Sequence, residues 1–196
     1  MKSAAVALLA VAALCASPAA AQDAATSREQ TKPFVRAGSI HLDLSAGDYV
    51  IKGTDGTNIR VAFTARRARD VPHVWTDIQI NGSSATVRTR GLKNGTRVQI
   101  DVPQRSDLDM TLTAGDLTVR GIEGNKRLSM WAGDVTMEVG DSEQYRRVDA
   151  SVRAGEISAR AFGRTTGGLF RSFRWDGKGK YTIDAMLFAG DLKIVR

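Results

Sequence analysis

One tripeptide recurs through the chain: Ala46-Gly47-Asp48, Ala114-Gly115-Asp116, Ala132-Gly133-Asp134, Ala154-Gly155-Glu156 and Ala189-Gly190-Asp191. Each copy has an apolar residue two places before the alanine and apolar or small residues one and three places after the acid. Leu112…Leu117/Val119 and Leu187…Leu192/Ile194 are examples. Apolar residues at alternate positions mark a half-buried strand. Across the corner the step is odd, from Ala114 to Leu117, and would turn the inner face outward unless the backbone bends there. Glycine permits such a bend. Each copy therefore reads as a corner between two short strands that serve one core, with the glycine and its acid as the structural pair.

The corner glycines are separated by 68 residues (Gly47 to Gly115), 18 (to Gly133), 22 (to Gly155) and 35 (to Gly190). A period near 20 residues is that of a stacked coil, and the longer gaps have room for further coils or protruding hairpins. The expectation is an all-β fold, a single-domain β-solenoid or β-helix-like coil of short strands with Gly-Asp corners, over residues 37–196.

Residues 1–21 have the chemistry of a signal peptide: a positive start at Lys2, an apolar run from Ala4 to Leu14, and a small-residue cleavage site at Ala19-Ala20-Ala21. The apolar run is too short to span a membrane. Leu14, standing before the lone Cys15, argues against lipidation there. Cleavage removes the one cysteine and leaves no disulfide to form. It also removes Lys2, taking the formal charge from +7 to +6. The expected location is periplasmic or secreted. A basic protein there meets phospholipid, lipopolysaccharide and acidic glycans rather than nucleic acid. Residues 22–36 are polar, with one proline, and read as a flexible lead-in.

From Ala37 onward strand alternation dominates, as in Ile40/Leu42/Leu44, Ile59/Val61/Phe63 and Val98/Ile100/Val102. Asp55-Gly56, Asn81-Gly82, Asn94-Gly95 and Asp176-Gly177 are hairpin-type turns, the last expected to join Leu169–Trp175 to Tyr181–Leu187. Arg66, Arg67 and Arg69 fall in a loop or strand end. Val102-Pro103, then 113–121 (Thr-Ala-Gly-Asp-Leu-Thr-Val-Arg-Gly) and 131–137 (Trp-Ala-Gly-Asp-Val-Thr-Met), resemble the bacterial β-solenoid domains of unknown function known as “putative adhesin” or toastrack domains. Alanine replaces the usual Ser or Asn before the glycine, and Glu156 replaces one Asp. The resemblance covers roughly residues 37–196. It implies a single-handed coil in the cell envelope, with some relatives tied to envelope-stress membrane proteins, and it implies no catalytic residue.

A row of corner acids Asp48, Asp116, Asp134, Glu156 and Asp191 offers Ca²⁺ ligation or the paired carboxyls of a polysaccharide-cleaving enzyme. The denser glycine pattern of calcium-binding β-rolls is missing, and no nucleophile motif accompanies the acids. The plainer reading is that the acid side chain hydrogen-bonds the turn backbone. No metal and no cofactor is expected, and His41 and His73 read as surface histidines. The outward residues just before each alanine are Ser45, Thr113, Trp131, Arg153 and Phe188. Stacked, they form a ladder in which Trp131 and Arg153 would make a cation–π pair and the aromatics would offer a platform for sugars or acidic polymers. A hairpin, with Trp75 or Trp175, or a second subunit would otherwise cover them. The expected function is non-enzymatic, adhesin-like binding of an anionic envelope polymer or a protein partner. The alternatives are a structural or signalling module that recruits an envelope-stress membrane protein, and an enzyme resting on the corner carboxylates. Monomer and dimer both remain open.

Overall fold

The alternation of apolar and polar residues becomes one fifteen-stranded sheet in the computed structural model. The model describes residues 27–65, 74–92 and 96–196, apart from the side chains of 166–168 and 170. In chain order the strands are β1 (Ser27–Pro33), β2 (Ser39–Leu44), β3 (Asp48–Thr54), β4 (Asn58–Ala65), β5 (Trp75–Asn81), β6 (Ser84–Arg90), β7 (Thr96–Pro103), β8 (Asp107–Ala114), β9 (Leu117–Arg120), β10 (Lys126–Ala132), β11 (Val135–Glu138), β12 (Tyr145–Ala159), β13 (Arg164–Asp176), β14 (Tyr181–Ala189) and β15 (Leu192–Val195). Two short 3-10 turns, Ser142–Gln144 and Arg160–Phe162, are the only helical pieces among the described residues.

The sheet has two parallel arms. Strands that enter a corner lie side by side as β6-β2-β8-β10-β14-β12, and strands that leave one as β7-β3-β9-β11-β15-β12. The long β12 belongs to both and turns its own corner at Gly155. Registers run through the corners, so equivalent residues stack: Leu44, Leu112, Met130, Leu187 and Val152 in one arm, and Ile51, Val119, Met137, Ile194 and Ala159 in the other. All ten are buried, and the core lies between the arms. At the far side the sheet almost closes into a barrel, because Lys32 of β1 donates to the Ile78 carbonyl of β5.

The corners are the tightest part of the fold. Each glycine N–H donates to the alanine carbonyl of the next corner: Gly47 to Ala114, Gly115 to Ala132, Gly133 to Ala189 and Gly190 to Ala154, at 2.9–3.0 Å. Gly115, Gly133 and Gly190 have φ between +121° and +123°. A Cβ on Gly133 would lie 2.0 Å from the Gly115 carbonyl oxygen, and one on Gly115 2.1 Å from that of Gly47. Glycine is therefore required both by its dihedral and by the backbone stacked against it.

Several expectations are corrected. The corners stack as 47, 115, 133, 190, 155, so β14 and β15 enter between the rung of β10 and β11 and that of β12, out of chain order. Likewise β6 and β7 form a rung outside β2 and β3, inside the long gap between Gly47 and Gly115. A coil wound strictly forward would keep sequence order. Residues 27–33 of the expected flexible lead-in form an edge strand paired with β4 throughout, with Phe34 buried just after it, because a polar strand with one solvated face suits a sheet edge. Asn81-Gly82 makes a hairpin, between β5 and β6. Asp55-Gly56 does not, since β7 lies between β3 and β4. Asp176-Gly177 does not either. There β12 separates β13 from β14, and the loop bonds back to Tyr145 and Arg146. The targeting segment, the Arg66–Arg69 cluster, His73 and Asn94-Gly95 lie outside the described residues.

Among the described residues the buried polar side chains are Thr89, Thr96, Ser106, Ser158 and one charged group, Lys126. Lys126 takes its place between Leu108 and Ile183 and is 1% exposed. Its ammonium donates to the carbonyls of Ile122 and Gly124 at 2.9 and 3.2 Å and to the Tyr145 hydroxyl. It thereby satisfies carbonyls that the β9–β10 connection buries. Burial pushes the Lys126 ammonium down to about 8 and the Tyr145 hydroxyl well up.

Gly133→Ala should lower stability by about 3 kcal/mol or more, read as a fall in Tm by circular dichroism. Gly82→Ala, at φ +60° with nothing within 4 Å of the added Cβ, should cost only about 1–2 kcal/mol. Between the folded value of Lys126 and about 10.4 for an unfolded lysine, the unfolded chain holds more protons, so its contribution to stability rises with pH. The gain from pH 8 to 9.5 should be about 1–2 kcal/mol, and Lys126→Met should flatten it in denaturant titrations at the two pH values.

Candidate functional site

Strand alternation sends every second residue of β2, β8, β10, β14 and β12 outward, and the parallel register collects these residues into rows. The row nearest the strand starts is ionic. His41 Nδ1 lies 3.5 Å from Asp109, Arg127 lies 3.9 Å from Asp184, and Asp149 takes Arg174 at 2.7 Å and Arg147 at 2.5 Å. The Arg174 guanidinium, aided by Arg147, outweighs burial and holds the Asp149 carboxyl below its usual range. The middle row is Thr111, Ser129, Met186 and Ser151, in register across β8, β10, β14 and β12.

The row beside the corners holds the ladder expected from the sequence, in the order Thr113, Trp131, Phe188, Arg153. Trp131 and Phe188 stack with ring centroids 4.1 Å apart and planes 5° from parallel. The Arg153 guanidinium lies over the other face of Phe188, 5.2 Å from its centroid. The expected Trp131–Arg153 pair is thus corrected: the out-of-order strand β14 places Phe188 between them. Ser45 follows β2 at the same level. Trp131 is 61% exposed, Met186 60% and Phe188 37%. Trp175 does not cover this face but packs on Phe162 at 4.7 Å, and Trp75 is itself exposed on β5.

These side chains line a groove of about 970 Å³. Thr111, Thr113, Ser129 and Ser151 supply hydroxyls, Trp131, Met186 and Phe188 apolar surface, and Arg153 and Arg171 positive charge. No carboxylate is among the described residues that line it. The sequence reading found the ladder, Thr113 included, but missed Met186 and the hydroxyls of Thr111, Ser129 and Ser151. The signal was present, since each stands two places before a ladder residue and so shares its face. Arg171, brought in by β13, carries no such signal.

Two of the corner acids, Asp134 and Asp191, hydrogen-bond the backbone of the next corner. Asp134 Oδ1 accepts the Asp191 N–H at 3.0 Å, and Asp191 Oδ1 accepts the Glu156 N–H at 2.9 Å. A carboxylate one bond from Cβ reaches the next rung, so each of these acids ties its corner to its neighbour. Among the described residues no group of three or more His, Cys, Asp or Glu is placed to hold a metal ion. No helix among them is long and apolar enough to cross a membrane.

No family model matches the chain, and no curated protein matches it. Solved structures do. A “putative cell adhesion protein” from Clostridium sporogenes superposes with a TM-score of 0.53 at 14% identity, covering 86% of this chain and 98% of that one. The chain shares the fold of a protein named for cell adhesion. A “putative adhesin” from Parabacteroides merdae matches at TM-score 0.27 and 12% identity over 86% and 78% of the two chains. A “putative lipid binding protein” from Parabacteroides distasonis matches at 0.26 and 9% over 87% and 97%. These two scores carry no argument.

Asp134→Ala should remove one acceptor from the corner column, costing about 1 kcal/mol and lowering Tm by about 2–4 °C. Asp134→Asn keeps an oxygen at the same reach and should remain within about 0.5 kcal/mol of the parent by the same melting measurement. Equal losses in both variants would mean that the negative charge, not the hydrogen bond, is what the corner needs.

Proposed function

We propose that this chain is an exported protein of the bacterial cell envelope that binds an anionic envelope polymer through its Trp131–Phe188 face, without catalysing a reaction. The observation that carries this reading is the exposed aromatic stack, closed at one end by Arg153 and set in a groove with Arg171 and, among the described residues, no lining carboxylate. Large aromatics left in water on a sheet face mark an interaction surface, and stacking on them places few demands on the sequence of a polymer. The formal charge, +7 for the whole chain and +6 once Lys2 is removed, favours anionic partners in general. Export is supported by the signal-peptide chemistry of residues 1–21, with cleavage after Ala21. A non-enzymatic role is supported by the corner acids Asp134 and Asp191, which hydrogen-bond backbone amides. The fold shared with a protein named for cell adhesion supports binding as the activity. We read the architecture as a β-solenoid in which the Gly155 and Gly190 corners are exchanged in order and the rung of β6 and β7 lies outside that of β2 and β3.

Co-sedimentation with purified peptidoglycan and outer-membrane polysaccharide, at low and moderate salt, tests the reading. The parent protein should sediment with at least one polymer at moderate salt, and Trp131→Ala/Phe188→Ala should stay in solution. Equal, salt-abolished binding by both proteins, or none by either, would overturn it.

A further inference from the structure

Ring faces in a parallel ladder point along the stacking direction, toward the neighbouring strands. Phe188 therefore has both faces occupied, by Trp131 on one side and Arg153 on the other. Trp131, among the described residues, has only one face stacked, by Phe188. Its second face looks toward β8, which presents the short side chain of Thr113 at that level, and past it lies Ser45 at the end of β2. Strands are spaced by about 4.8 Å, so two successive rungs beside the indole lack a side chain of its height. The exposure of Trp131, well above that of its stacked partner, reflects this missing neighbour. The floor of the opening is polar, formed by the exposed hydroxyls of Thr111, Thr113 and Ser129.

We propose that this opening is a slot for one sugar ring of an acidic glycan, which enters the ladder as its next rung. The inference rests on the polymer-binding reading above and names the class of polymer. A pyranose has what the slot asks for: a flat face of C–H groups to lie on the indole, and hydroxyls around its rim to meet Thr111, Thr113 and Ser129. The rest of the chain then runs across the ring edges toward Arg153 and Arg171, where acidic groups on further sugars meet positive charge. A polyphosphate satisfies the arginines and leaves the slot empty. A neutral glycan fills the slot and gains nothing from the positive charge of the groove.

Isothermal titration with three probes separates these cases: a galacturonic acid hexamer, a neutral cellohexaose and an inorganic polyphosphate. The acidic hexamer should bind most tightly at moderate salt. Thr113→Trp, at an exposed strand position where folding is easily verified by circular dichroism, fills the slot. It should weaken the acidic hexamer by about tenfold, the equivalent of one stacking contact, and leave polyphosphate binding unchanged. Unchanged affinity for the acidic hexamer in Thr113→Trp overturns the slot, as does polyphosphate binding at least as tightly as the hexamer in the parent. If either result comes while Trp131→Ala/Phe188→Ala still abolishes polymer co-sedimentation, the slot alone falls and the binding face stands. If that double variant binds polymer like the parent, both fall together.

Discussion

The architecture depends on how closely five corners pack. At Gly115, Gly133, Gly190 and Gly155 the backbone passes so near the carbonyl of the neighbouring corner that no side-chain carbon fits, and only glycine meets that condition. The dividend is a continuous run of hydrogen bonds through the bends, from Gly47 to Ala154, where a sheet would otherwise break into separate pieces. Two of the acids that follow the glycines, Asp134 and Asp191, add further bonds along the same column. Because the column fixes the vertical alignment, the strands on either side have no freedom to slip, and every side chain inherits the level of its corner.

That alignment is what turns ordinary sequence positions into surfaces. Inside, it stacks leucine on leucine and isoleucine on valine, which suits a core that must be filled from two arms. Outside, the same rule gathers like chemistry into rows: ions in one, hydroxyls in the next, aromatics in the third. Lys126, the one buried cation among the described residues, shows the rule from the other side. Its level in the stack is inward, and it is tolerated because its ammonium finds three oxygen acceptors around it.

The corners, the alternation around them and the outward ladder were legible in the sequence because each is local, a matter of spacing within ten residues. The order of the rungs was not. Nothing in Gly155 or Gly190 says which will stack on Gly133, since both carry the same pattern and compete for the same partner. The choice is made at a distance, by β13 folding back on β12 and closing one side of it with an antiparallel partner. For the same reason the sequence named Trp131 and Arg153 correctly as neighbours of the site but not as separated by Phe188. The strand at Ser27–Pro33 escaped notice because six of its seven residues are polar, which leaves no apolar period to betray it.

The late entry of β14 and β15 between strands made earlier has a consequence for how the molecule assembles. During synthesis β10, β11 and β12 are complete before the segment that will lie between them exists, and all three have the corner pattern needed to stack directly on one another. Such a premature stack would be a well-bonded trap, one rung short, that must reopen for β14 and β15 to enter. The hairpin of β12 and β13 can form on its own in the meantime. It holds β12 by its far side and leaves the near side waiting for the correct neighbour.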